Sequence, residues 1–285
     1  MFPLDLPGPQ FATFYLVFAM VVIAALHFGR RHLESGPPPV IDPKDPYLLA
    51  CLRGGPKEVV CVATLGLIDR GLLQISDRQV VRAPNARPAL VGRRIEQAVL
   101  GYFEDPADLF SVLKAPSALA VAEADYEDRL RRDGLIPDTQ MRNTRHQLMI
   151  AASACLVGLG GVKLMIALGA GRHNVLFLIG MMSIAVVVIW KIGDPYRAVI
   201  GDSYLAGVRT MFAGLRDRAT SIRPGSGSRE FLWLTSLFGI AALPSTAFPF
   251  AKLFKPKGGS GCGSSCGSGG GGCGGGGGGC GGCGS

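Results

Sequence analysis

The sequence predicts a mainly α membrane protein. It should have about three transmembrane helices, a small α/β cytoplasmic module (winged-helix-like and helical), and a disordered tail. Three observations lead there. Hydrophobic residues make up 48% of 285 and mean hydropathy is +0.32, although a low-complexity segment dilutes both. Three long apolar runs carry almost no charge. The stretch Gly258 to Ser285 holds 18 Gly, five Ser and five Cys and nothing else, so no apolar side chain is present to offset the entropy of ordering it.

Residues 1–34 are expected to form an N-terminal anchor. Phe11 to Phe28 is an uncharged run of 18 residues, close to the length that crosses a hydrocarbon core. It lacks a basic start and a small-residue cleavage site, so it reads as an uncleaved anchor. Arg30, Arg31 and His32 follow it, which places the residues after it in the cytoplasm.

Residues 40–137 read as a cytoplasmic module. After a Pro-rich linker at 35–39, Asp45 to Arg53 forms a short helix, broken by Gly54-Gly55. Pro56 starts a second helix that runs to Arg70, with Glu58 at its positive end and Gly71 as its stop. Leu72 to Ser76 and Gln79 to Arg82 then read as a hairpin around Asp77-Arg78. Helix, helix, hairpin suggests a winged-helix fragment. Its charges argue against nucleic acid as a partner: Lys57 and Arg70 are offset by Glu58 and Asp69, and no basic face is left for phosphate. The second half is helical, over Arg93 to Phe103 and Pro106 to Arg132, with a break expected at Pro116. Glu123, Asp125, Glu127 and Asp128 precede Arg129, Arg131 and Arg132. Paired carboxylates can serve a glycosidase or a metal. At this spacing a solvated helix face with ion pairs such as Asp128 with Arg132 is the better reading.

Residues 148–192 form a transmembrane hairpin. Leu148 to Gly169 is its first arm, with a small-residue face of Ala151, Ala154, Gly158, Gly160 and Gly161 suited to close packing. Lys163 lies near the end of that arm and can snorkel outward. Asn174 to Trp190 is the second arm, anchored by Trp190 and Lys191. All three spans agree on one topology in the cell membrane, multi-pass, with the first residues and the loop 170–173 outside.

Residues 193–229 are an amphipathic cytoplasmic segment. Leu205, Val208, Phe212 and Leu215 share a face that suits the inner leaflet or the module. Residues 230–257 are apolar at first, but Pro244 and Pro249 interrupt them and basic residues flank both sides. An interfacial or re-entrant segment fits better than a fourth membrane segment.

The residues 258–285 are the disordered Gly/Ser/Cys tail. Its thiols, Cys262, Cys266, Cys273, Cys280 and Cys283, are the one candidate metal set. Only Cys280 and Cys283 have CxxC spacing, and structural zinc would want two such pairs on ordered turns. A soft metal such as zinc is the only cofactor to consider. Cys51, Cys61 and Cys155 sit in apolar helical contexts and should act as small hydrophobes. No Walker loop, GxGxxG after a strand, HExxH or GxSxG elbow is present, so no catalytic residue is assigned.

The stretch Leu49-Ala-Cys-Leu-Arg-Gly-Gly-Pro-Lys, the run LGLIDRGLL at 65–73, the two close spans and the Gly/Cys end together resemble an uncharacterised family of bacterial multi-pass membrane proteins with a Gly/Cys-rich tail. The resemblance covers about residues 40 to 285. It implies a membrane location and no particular chemistry. The expected function is therefore non-enzymatic: a membrane protein whose tail is a substrate or handle for a Cys-modifying enzyme or a protein partner. Metal or redox handling by the tail thiols is the first alternative. A membrane-tethered regulatory module is the second.

Overall fold

The computed structural model describes residues 8–34, 36, 45–76, 79–169, 176–219, 225, 229–244, 248 and 250. The linker prolines, the hairpin tip Asp77-Arg78, the loop 170–173 and the whole of 258–285 lie outside them. The described chain is mainly helical and has two separate apolar cores.

The smaller core lies among three long helices. Helix α1 spans Gly8–Leu33, α7 Thr139–Gly169 and α8 Leu176–Gly193. All three are long and apolar enough to cross a membrane. Few of their residues are covered by protein, and Val21, Phe28, Met165, Phe177 and Ile184 are exposed. Such an outward apolar surface suits lipid contact. Phe11, Tyr15 and Ala19 of α1 pack against Met149, Ala152 and Leu156 of α7 and Ala185 and Ile189 of α8. The small-residue face of α7 differs from expectation. Ala151, Ala154, Gly158 and Gly161 do not form the contact; the buried line is Met149, Ala152, Leu156 and Gly160, a 3-4-4 spacing along one face. Met182 fills the space that a Cβ at Gly160 would need. Lys163 Nζ lies 5.0 Å from the Phe11 ring centroid, close to the end of the bundle, as its position suggested.

The larger core belongs to a globular module. Helix α2 (Pro46–Gly54) begins where Asp45 Oδ1 accepts the Tyr47 N–H at 3.0 Å, a side-chain cap beside a proline whose missing N–H costs nothing there. Helix α3 (Pro56–Asp69) repeats the proline start. Between them Gly55 has φ 84°, a left-handed turn that favours glycine. Strands β1 (Leu73–Ser76) and β2 (Gln79–Arg82) pair antiparallel, from Leu73 opposite Arg82 to Ser76 opposite Gln79. Helix α4 covers Arg94–Tyr102. A two-residue strand, β3 (Ala107–Asp108), then joins β2; two residues are too short for an alternation to announce it. Helices α5 (Pro116–Ala122) and α6 (Asp128–Arg132) are joined by a π-helical turn over Glu123–Glu127; the chain breaks at Pro116 as the sequence suggested, a 3-10 turn over Ser111–Lys114 preceding it.

Three segments differ from the sequence reading. Helix α7 begins nine residues before the apolar run, at Thr139, whose N–H is held by Asp138 Oδ1 at 2.7 Å; its polar first turns continue the helix beyond the apolar stretch. Helices α9 (Val199–Met211) and α10 (Ala213–Asp217) follow α8, and α9 buries Leu205 and Val208 in the module core instead of leaving that face to a leaflet. Most important, α11 (Arg229–Phe238) has only ten residues. It packs on α2 and α3 and buries Phe231, Leu234 and Leu237 in the module core. For its described part, 230–257 is neither a fourth membrane segment nor an interfacial one, because protein covers its apolar side. Phe248 is fully buried beside Phe231, with ring centroids 5.1 Å apart.

The module is therefore assembled from two stretches of chain, one before α7 and one after α8. Helices α7 and α8, both long and apolar enough to cross a membrane, are inserted between them.

Candidate functional site

The five tail cysteines proposed as metal ligands lie outside the described residues. Among the described residues no group of three His, Cys, Asp or Glu could hold a metal. The acidic run is a paired face. Asp125 meets Arg94 at 2.8 Å, and Arg131 reaches Glu127 at 3.0 Å and Asp128 at 2.9 Å. The expected Asp128–Arg132 side-chain pair is replaced by Arg132 Nε donating to the Asp128 carbonyl at 3.2 Å. Burial pushes Glu127 above its ordinary value, against the pull of Arg131.

Cys51 and Cys61 are fully buried and Cys155 is exposed on α7; Cys61 is disulfide-bonded, so it is not the simple small hydrophobe that its apolar helix suggested. Burial pushes the Cys51 thiol up to about 12, despite its contact with Tyr196 Oη at 3.8 Å. A thiol so placed is inert as a nucleophile.

One polar constellation joins the two cores. The Arg145 guanidinium donates from Nε to Glu34 Oε1 at 2.7 Å, and to the carbonyls of Pro195 at 2.9 Å and Arg197 at 3.4 Å. Glu34 Oε2 accepts the Val199 N–H at 3.1 Å. Arg30 adds a hydrogen bond to the Ile192 carbonyl at 3.3 Å. The end of α1, the early turns of α7 and the chain leaving α8 thus meet at one level. Beside them is a cavity of about 30 Å³ lined by Leu26, Arg30, Leu148 and Ile189, room for a water or two. This is a joint, not a ligand site.

A second constellation has no counterpart in the sequence reading. Arg53, from the Arg-Gly-Gly turn, forms a buried ion pair with Glu58 and donates to the Thr235 carbonyl of α11 at 2.6 Å. It fits under Gly239, where φ is 79° and a Cβ would lie 2.8 Å from Arg53 Nη1. A cation on the last carbonyls of a helix satisfies orphan acceptors and the dipole together.

The third is a cavity of about 430 Å³ in the module, lined by Pro46, Arg70, Gly92, Arg93, Glu96, Arg229, Leu232 and Trp233. Glu96 is buried; its Oε1 accepts the Tyr47 hydroxyl at 2.7 Å and lies 2.6 Å from Arg70 Nη2. That nitrogen is buried with no aligned hydrogen bond among the described residues. Arg93 is held by Asp45 at 2.5 Å and lies 4.8 Å from the Tyr47 ring centroid. Burial works against the Arg93 charge, but Asp45 outweighs it and holds the guanidinium above its ordinary value. Tyr47 is pushed well up by burial and then by Glu96. The signal in the sequence was the placement of Arg93, Arg94 and Arg229 at helix starts, where the dipole disfavours cations.

Comparison with protein-family models, curated proteins and solved structures finds no significant match.

Proposed function

We propose that this chain is a non-catalytic integral membrane protein that holds its module at the membrane and presents the cysteine-rich segment to a Cys-modifying enzyme or protein partner. The observation that supports this most is the docking of α11 and Phe248 in the module core. The segment after Phe250 leaves from the module. Residues 251–285 contain no apolar run able to cross a bilayer, so the five thiols share the module's compartment. Arg30, Arg31, Arg142 and Lys191 flank the module-side ends of the three helices, and the bias of Lys and Arg toward the cytoplasm argues for that side. A reducing compartment keeps unpaired thiols available, on a chain too rich in glycine to obstruct an enzyme pocket. Zinc or redox handling by the same thiols, and a winged-helix-like regulatory role for 40–137, are less well supported. Only Cys280 and Cys283 have CxxC spacing, and Lys57 and Arg70 are offset in sequence by Glu58 and Asp69.

The test has two parts. A membrane-impermeant maleimide is applied to cells expressing a variant that keeps the five tail cysteines and lacks Cys155. Labelling only after permeabilisation is the expected result; labelling of intact cells would remove the cytoplasmic assignment. Intact mass of the protein from its native host then reports on modification. A mass equal to the bare sequence would count against a Cys-modifying partner. Equal zinc content in the wild type and a five-Cys-to-Ser variant would dispose of the metal reading.

A further inference from the structure

We infer that the 430 Å³ cavity of the module is a binding site for a phosphate-bearing anion.

Three guanidiniums line it, from Arg70, Arg93 and Arg229, against one carboxylate, Glu96. Arg93 is answered by Asp45 and Arg70 by Glu96. Arg229 is exposed and makes no ion pair among the described residues. The cavity therefore keeps a positive charge that the protein does not neutralise. Arg70 is fixed at the cavity by Glu96, its Nη2 lying 2.6 Å from Oε1.

The backbone points the same way. Pro46 opens α2, Gly92 and Arg93 precede α4, and Arg229 opens α11. Three helix starts thus face one cavity. Helix α4 carries no side-chain cap at this end. Free amide N–H groups and the positive dipole ends favour an anion there. Cations at helix starts are unfavourable in the empty protein; a phosphate between them turns that repulsion into attraction. Guanidinium groups match phosphate oxygens in bidentate geometry, which is why arginine predominates in such sites.

Size argues for more than inorganic phosphate. Leu232 and Trp233 supply an apolar and aromatic wall, and Trp233 is backed by Phe212, stacked at 5.0 Å and 7°. A flat or aliphatic portion of the ligand would rest there while its phosphate meets the arginines. A soluble organic phosphate and a phospholipid headgroup share this chemistry.

The chain has two tryptophans, Trp190 and Trp233, so the Trp190→Phe variant leaves one reporter in the cavity wall. Full-length protein in detergent is titrated with pyrophosphate and with adenosine monophosphate, and protein in nanodiscs is compared with and without phosphatidic acid. A saturable change in Trp233 emission is expected, weakened about tenfold or more by Arg229→Gln and weakened again as salt rises from about 50 to 500 mM. Arg229 is exposed at the first residue of its helix, so this variant should keep its unliganded melting midpoint. Arg93→Gln provides a second variant with the same expected loss. A response to the soluble probes identifies a free organic phosphate; a response confined to phosphatidic acid nanodiscs identifies a lipid headgroup. No saturable response to any probe up to about 10 mM, or equal affinity in both variants and the parent, overturns the inference. These results are independent of the tail experiments above.

Discussion

Glu34 and Arg145, 111 residues apart, meet at 2.7 Å with both side chains almost wholly buried. Their position is the junction of α1, α7 and the chain leaving α8. Each has further partners: the Val199 N–H for the carboxylate, and the Pro195 and Arg197 carbonyls for the guanidinium. A buried pair so fully hydrogen-bonded fixes geometry more than it adds stability.

Removing one partner should therefore cost more than removing both. Arg145→Leu strands a buried carboxylate and is expected to destabilise by about 3–5 kcal/mol. Glu34→Leu with Arg145→Leu should recover a good part of that. Thermal unfolding of the four proteins in one detergent gives the coupling, and a coupling near zero would show that the pair does not hold the joint.

Arg53→Ala should loosen α11 before the rest of the module. It leaves Glu58 buried without its partner and frees the Thr235 carbonyl, at a cost of about 3–5 kcal/mol. Hydrogen exchange should rise first in 229–238. Uniform exchange across α2, α3 and α11 would contradict the role of Arg53 as the clasp on that helix.

Gly201 and Gly207, on the same helix, should respond in opposite directions. A Cβ at Gly201 would run into the Leu135 carbonyl, whereas nothing lies within 4 Å at Gly207. Gly201→Val is expected to cost about 1–3 kcal/mol by overpacking. Gly207→Ala should stabilise by up to about 1 kcal/mol through helix propensity. Denaturant midpoints of the two variants check both signs.

Alkaline pH should weaken the module. Burial holds Cys51 and Tyr126 each at about 12 and raises Tyr47 and Tyr196. In the unfolded chain these groups lose protons at ordinary values, roughly 8.5 for Cys and 10 for Tyr. The folded state binds more protons, so the stability they contribute is complete below about pH 8.5 and falls as pH rises through 12. Melting midpoints should be flat from about pH 7 to 8.5 and then drop. At pH 8 the Cys51 thiolate is about a thousandfold scarcer than that of a free cysteine, so maleimide should label Cys155 and leave Cys51 untouched in the folded protein. Midpoints that rise above pH 9, or prompt labelling of Cys51, would refute this.

What the sequence disclosed was local. The Asp45-Pro46 start, the Gly55 turn and the Gly71 stop are written into neighbouring residues, and α2 and α3 fall within a residue of where those signals put them. Apolar length marked α1, α7 and α8 for the same reason. The polar turns at 139–147 hid the true start of α7, because hydropathy marks where lipid suits a helix and not where the helix begins. The sequence reading missed the place of α11 because its apolar face is explained by α2 and α3, far back in the chain. The arginine cavity was invisible as a unit, since Pro46, Arg70, Arg93 and Arg229 come from four separate elements. Short-range chemistry can be read in order along a chain; a site gathered from its two ends cannot.

Because the module is split around α7 and α8, its order of synthesis matters. Residues 45–136 emerge first with the α2–α3 surface uncovered, and the helix that covers it is made only after both arms of the hairpin. At about 5–20 residues per second, the wait between Ile136 and Phe231 is on the order of 5–20 s. During that interval the growing chain presents the apolar face of α2 and α3 uncovered. Completion of the module thus waits on synthesis of α7 and α8, and a ribosome that stalls before residue 229 leaves an unfinished protein that any quality-control system recognising exposed apolar surface could mark.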